Sequence, residues 1–151
     1  MLRTRLSDAL KAAMKERDQR SILTLRLILA AIKDQDIALK GKGNKDGLTD
    51  DQILSLLQSM IKQRRDSIKL YEQGGRMELA QREAEEIAVI EEFLPEQMDD
   101  DEMATVITGV IGEVDATSLK DMGKAMTALK EQYAGKMDFS KASAMVKERL
   151  G

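Results

Sequence analysis

Phe93-Leu94-Pro95-Glu96-Gln97 holds the one proline of the chain, and its reading decides the fold. Charged, helix-patterned sequence lies on both sides of it. A proline inside a helix removes a backbone donor and clashes with the preceding turn, so a helix normally ends just before it. Pro95 therefore divides an all-α chain into an N-terminal four-helix domain, residues 1–94, and a small C-terminal three-helix domain, residues 95–151. The second part is near the lower size limit for an independent core.

Working back from Pro95, a helix over residues 76–93 is expected to bury Met77, Ala80, Ala84, Ile87 and Ile90. Gly74-Gly75 separates it from a helix that Thr49 caps, with Gln52 three positions later completing a capping box. The stripe Ile53, Leu56, Leu57, Met60, Ile61 continues through Ile68 to Tyr71. Gly41-Lys42-Gly43-Asn44-Lys45-Asp46-Gly47 reads as a loop. Before it, residues 21–40 are apolar around most of the circumference (Ile22, Leu23, Leu25, Leu27, Ile28, Leu29, Ile32), which predicts the most buried helix. Residues 2–17 place Leu2, Leu6, Ala9, Leu10 and Ala13 on one face. Beyond Pro95, Asp99 with Glu102 reads as a capping box before Met103, Val106, Ile107, Val110 and Ile111. Ser118 is expected to cap a helix carrying Leu119, Met122, Met126, Leu129 and Tyr133. Asp138 caps the last helix, with Phe139, Ala142, Val146 and Leu150. No alternating run is long enough for a strand.

Composition narrows the chemistry. Aromatic residues are 3% of the 151, and there are ten Met, no Cys and no His. Disulfides, thiolate nucleophiles, imidazole bases and the usual zinc sites are therefore excluded. The longest uncharged runs, residues 52–61 and 103–112, are ten residues each, about half of a membrane span. No secretory signal or acid-poor transit peptide is visible, so the cytoplasm is the default compartment. Charge is uneven. Residues 1–40 carry nine basic and five acidic side chains, residues 41–95 eight and eleven, residues 96–115 none and seven, and residues 116–151 seven and four. The first and last helix pairs are thus the two basic surfaces on a chain of net charge −3.

Four constellations invite a function and have a plainer reading. Gly41, Gly43 and Gly47 follow a helix, not a strand, so they fit a loop better than a phosphate cradle. Asn44, Asp46, Gly47 and Asp50 resemble a calcium loop, but positions one and twelve would be Lys42 and Ile53, not carboxylates. Asp99-Asp100-Asp101-Glu102 suits a helix N-terminus better than a cation. Glu83, Glu86, Glu91 and Glu92 read as a solvated face or as ion-pair partners of the preceding helix rather than as a catalytic pair, since nothing implies a cleft. Lys62, Arg64, Arg65 and Lys69 could supply those pairs, or form a basic surface for a protein partner. No catalytic residue, metal ligand or cofactor is assigned.

The order of segments carries a resemblance over nearly the whole chain. Leu25-Arg26-Leu27-Ile28-Leu29-Ala30-Ala31-Ile32 is followed by Ile61-Lys62-Gln63-Arg64-Arg65-Asp66-Ser67, Tyr71-Glu72-Gln73-Gly74-Gly75-Arg76, Phe93-Leu94-Pro95-Glu96-Gln97-Met98 and Asp121-Met122-Gly123-Lys124-Ala125-Met126. Together these resemble the YqeY family, GatB/YqeY-domain proteins similar to the tail domain of the B subunit of the glutamine-dependent tRNA amidotransferase. The resemblance implies two linked helical domains, the smaller of a kind that contacts the outer corner of tRNA. It also implies an association with carbon–nitrogen ligases that use glutamine as amido donor. Carried onto this chain, it makes Lys120, Gly123 and Lys124 the RNA-contacting positions, with Lys130, Lys136 and Lys141 behind them. Gly123, lacking a Cβ, would admit a neighbouring helix or a phosphate. Amidase chemistry needs an activated nucleophile and an oxyanion site, and the residues offer neither. The expectation is a non-catalytic adaptor that binds tRNA weakly; the alternative is a module docking on an amidotransferase or another translation factor.

Overall fold

The computed structural model describes residues 1–151, all seven α-helices of them and no strand. Helix α1 is Leu2–Glu16, α2 Gln19–Gly41, α3 Asp50–Gln73, α4 Met77–Glu91, α5 Asp100–Glu113, α6 Met122–Gln132 and α7 Phe139–Leu150, with a 3₁₀ turn at Leu119–Asp121 before α6. The chain packs as two compact units, Met1–Leu94 and Pro95–Gly151. No helix is long and apolar enough to cross a membrane.

In the first unit, α1 and α2 form one hairpin and α3 and α4 another. Leu6, Leu25, Ile28, Ile53, Leu57 and Ile90 fill its core. Arg17 takes the left-handed conformation (φ 56°) and ends α1. Asp18 starts α2 one residue later by accepting from Ser21 N–H at 3.2 Å. Thr49 and Gln52 make the reciprocal capping box of α3 at 3.2 and 2.9 Å, which satisfies two otherwise orphaned donors. Asp36 ties the far end of this unit together. It accepts twice from Arg3 of α1, at 2.7 and 2.8 Å, and once from the Leu48 N–H ahead of α3, at 2.8 Å. The Arg3 guanidinium first, and then the Leu48 amide, hold its carboxyl down to about 2. The loop reaches this clamp through Gly47, whose φ is 76°; a Cβ there would run into Asp36 Oδ1.

Three expectations fail in this unit. Met77 and Ala84 are exposed, because α4 turns Glu83 and Glu86 toward α3 in their place. Both carboxylates meet Arg64, at 3.9 and 2.9 Å, and the three side chains retain only 23%, 14% and 13% of their accessible surface. Desolvation, and secondarily the Glu86 charge, pushes the Glu83 carboxyl up while Arg64 opposes that rise. Helix α2 is also not buried all round: Leu23, Leu27 and Ile37 lie in solvent, on the side of α2 away from Ile28 and Ile32.

The second unit packs α5, α6 and α7 around Met103, Ile107, Val110, Ala125, Leu129, Met137, Ala142 and Val146. Asp99 caps α5 through Glu102 N–H at 2.8 Å, and Asp138 caps α7 through Ser140 N–H at 2.9 Å and Lys141 N–H at 3.3 Å. Ser118 does not cap a helix with its side chain. Instead Asp121, three residues on, accepts from Thr117 N–H at 2.9 Å and closes the turn from the other end. The segment after Pro95 is fastened to the α6–α7 loop: Met98 N–H donates to Lys136 O at 2.8 Å and Gln97 Nε2 to Gly135 O at 2.6 Å.

Candidate nucleic-acid interface

The second unit's lysines arise on three kinds of backbone. Lys120 stands in the 3₁₀ turn and Lys124 in the first turn of α6, one on each side of Asp121. The spacing of four thus spans a 3₁₀-to-α junction and not one continuous helix. Asp121 remains ionised between them. Its carboxyl is held low mainly by the Thr117 amide, further by the Ser118 amide, and by the Lys124 charge. Lys130 lies six residues past Lys124, about 9 Å along α6 and a third of a turn around it. There it lines a shallow groove with Met126, Phe139, Ser140 and Ser143.

Lys136 sits in the α6–α7 loop, where Met98 fixes its carbonyl and Tyr133 O accepts its N–H at 3.0 Å. Lys141, in the first turn of α7, turns to Asp100 at 3.3 Å. Of the five, Lys141 alone closes an ion pair; Lys124 acts on Asp121 through its charge without one. The structure therefore places Lys120 and Lys124 on either side of Asp121, sets Lys130 on the α6–α7 groove and Lys136 in the α6–α7 loop, and leaves Lys141 on the acidic start of α5. All five side chains are exposed. Gly123 is exposed too, and a Cβ added to it would meet nothing within 4 Å. No helix of this chain uses the space it leaves.

Arg149 went unnoticed among the charges of the sequence, since nothing local marks it. Its guanidinium donates to Ala104 O at 2.9 Å and to the Thr108 hydroxyl, bracing α7 on α5. It is thus spent on structure. The four basic residues of α3 divide similarly. Arg64 joins Glu83 and Glu86, and Arg65 reaches Glu91 at 3.4 Å. Lys62 and Lys69 are exposed on the same helix. Asp99, Asp100, Asp101 and Glu102 do not converge into a cluster able to hold a metal.

The family model described as Yqey-like protein matches residues 3–150. Among curated relatives, the altered inheritance of mitochondria protein 41 of Lachancea thermotolerans is 28% identical over 96% of this chain and 76% of its own length. An uncharacterized protein of Schizosaccharomyces pombe is 30% identical over 64% of this chain and 71% of its own. The Saccharomyces cerevisiae altered inheritance of mitochondria protein 41 is 32% identical over 59% of this chain, which spans 46% of that relative's length. Two of these relatives are named as mitochondrial proteins, which overturns the cytoplasmic expectation. That expectation rested on finding no address signal, and a missing signal specifies no compartment. Matched by the family model from its third residue to its last but one, the chain belongs to the YqeY family.

Proposed function

We propose that this protein binds tRNA weakly through phosphate contacts from its last three helices, and does no chemistry itself. It works as an adaptor related to the amidotransferase tail domain and assists tRNA-dependent amidation by positioning. In this reading the two compact units are separate domains, four helices and then three, and the second carries the RNA surface. The observation that carries the reading is the contrast in pairing. Lys120, Lys124, Lys130 and Lys136 are exposed and make no ion pair, whereas Arg64 is largely desolvated between Glu83 and Glu86, and Arg65 and Arg149, though exposed, are tied to a neighbouring helix. Exposed amines on fixed backbone contact phosphates and carry no base readout. The relatives' names support a mitochondrial setting.

A gel-shift titration against unfractionated tRNA tests this. With about four phosphate contacts, the log–log dependence of affinity on salt has a slope near −3. Replacing Lys120 and Lys124 by Glu abolishes the shift while the helical circular dichroism signal is unchanged. No shift at low salt, or a flat salt response, refutes the proposal.

A further inference from the structure

The outward face of α2 is apolar and flanked by unused positive charge. Leu23, Leu27, Ala30, Asp34 and Ile37 recur at spacings of three and four, so they share one face. Leu23 is 50% exposed, Leu27 48% and Ile37 59%. The inward face buries Ile22, Leu25, Ile28 and Ile32, so this second apolar row contributes nothing to the core of its own unit. From Leu23 to Ile37 it runs fourteen residues, about 21 Å. Arg26, Lys33 and Lys40 follow one edge at intervals of seven. None of the three has an ion-pair partner, while Arg20 on the same helix is taken by Glu85 and Asp36 by Arg3.

From this arrangement we propose that the outward face of α2 docks an acidic amphipathic helix of another protein. Three and four spacing with a sevenfold basic edge is the geometry that receives a helix: apolar side chains from the partner fill the row, and its flanking carboxylates meet Arg26, Lys33 and Lys40. Ala30, at the middle of the row, lets the partner backbone approach closely. Charge selects against the other occupants. The face carries three cations and one carboxylate, net +2, so a second copy would present +2 to +2. An anionic bilayer would meet Asp34 within the apolar row and no aromatic anchor on α2. An acidic helix matches Leu23, Leu27 and Ile37 and the basic edge, and unlike a bilayer it can set a polar side chain opposite Asp34.

Two labelled 21-residue synthetic helices serve as probes, with identical Leu and Ile rows but Glu flanks in one and Lys flanks in the other. Fluorescence anisotropy with the full chain at low salt should give at least ten-fold tighter binding of the Glu helix. Arg26→Glu with Lys33→Glu should remove that preference, and Leu23→Ser with Leu27→Ser should remove binding. These are surface positions, and circular dichroism checks that the helices persist. Equal binding of both probes, binding that survives the serine pair, or no binding of the Glu helix overturns the proposal. So does dimerisation of the chain that Leu27→Ser dissolves, which assigns the face to a second copy. So does phosphatidylserine vesicle binding through this face without Glu-helix binding, which assigns it to a membrane.

Discussion

The two units use their charged residues differently. In Met1–Leu94, cations cross from helix to helix: Arg3 to Asp36, Arg20 to Glu85, Arg64 to Glu83 and Glu86, Arg65 to Glu91. Arg5 adds a contact over the Phe93 ring, 5.5 Å from its centroid. In Pro95–Gly151 one cross-helix ion pair is present, Lys141 to Asp100, and both partners are exposed. The smaller unit relies on apolar packing, caps and the Arg149 brace of α7 on α5, so its lysines are not needed to hold it together. Where such charge is desolvated, as at Arg64, Glu83 and Glu86, it is costly to disturb. Charge left in water adds little to stability and stays free for a partner.

Truncating the cores should separate the units most sharply. Leu129 and Ile107 are fully buried in a 57-residue unit. Leu129→Ala removes about 2–5 kcal/mol, comparable to all the stability such a small core supplies. The expected result is loss of the amide dispersion of residues 95–151 in a two-dimensional NMR spectrum while resonances of residues 1–94 persist. Leu57→Ala, in the larger unit, costs a similar amount but should leave residues 95–151 unaffected. Simultaneous collapse of both halves in either variant contradicts the two-unit picture.

The next effect belongs to Arg64. Arg64→Ala leaves Glu83 and Glu86 facing each other, largely desolvated, without their cation. Hydrogen bonds to charged groups are worth about 1.5–3 kcal/mol, so urea unfolding at pH 7 should show a loss in that range. The pH dependence has a definite sign. Glu83 has a folded pKa already above its unfolded value, so its ionisation opposes folding, and removing Arg64 raises that folded pKa further. The variant's deficit should therefore be full above the folded pKa and shrink as pH falls through it toward the unfolded value, about 4.3. A deficit that grows on acidification would mean Arg64 acts elsewhere. Lys69→Ala, on the same helix but outside the cluster, should change stability by less than about 0.5 kcal/mol.

How far residues announced this structure depended on whether the signal was local. Thr49 with Gln52, Asp99 and Asp138 were legible as caps because a cap involves groups two or three residues apart. The helical character of every segment was legible from three-four periodicity. Ser118 misled because two side-chain acceptors, its own and that of Asp121, compete for one turn, and the sequence does not rank them. Met77 and Ala84 misled because hydropathy assumes that carboxylates face water; Glu83 and Glu86 face Arg64 of a helix about twenty residues earlier. Leu23 and Leu27 misled for the converse reason. An apolar circumference counts side chains and not the neighbours available to cover them, and Leu23 and Leu27 point away from Ile28 and Ile32. Of the candidate interface, the lysines could be named from the sequence, but the capture of Lys141 by Asp100, forty-one residues away, could not.

A smaller effect tests the clamp in the first unit. Gly47→Ala forces a side chain into a left-handed φ and against Asp36, for a cost of about 1–2 kcal/mol. The Asp36 contribution depends on pH with the opposite sign from that of Glu83. A carboxylate depressed to about 2 stabilises the fold above its unfolded pKa, and the gain disappears as pH falls through about 2. Asp36→Asn should therefore be less stable than the parent at pH 7 and converge with it below that value. An unfolding series from pH 7 to 1.5 reads the crossover, and parallel curves would remove Asp36 from the account.

The slightest change in stability should bring a gain in binding. Asp100 and Lys141 are both well exposed, and pairs of that kind contribute about 0.2–1 kcal/mol. Asp100 also complements the α5 N-terminus, for about 0.3–1 kcal/mol more, but Asp99 supplies the capping hydrogen bond and Asp101 and Glu102 remain in the first turn. Asp100→Asn should therefore cost no more than about 1 kcal/mol, a fall of up to about 8 °C in melting temperature for so small a unit. It releases Lys141 and removes a negative charge beside it. If the second unit meets phosphate through its unpaired amines, the variant binds tRNA more tightly than the parent and its salt slope steepens by up to about 0.9, one additional contact. A tighter complex with an unchanged slope would mean that Asp100 acted by general repulsion and that Lys141 touches no phosphate. Unchanged binding would place both residues outside the contact surface, leaving Lys120, Lys124, Lys130 and Lys136 as its whole extent.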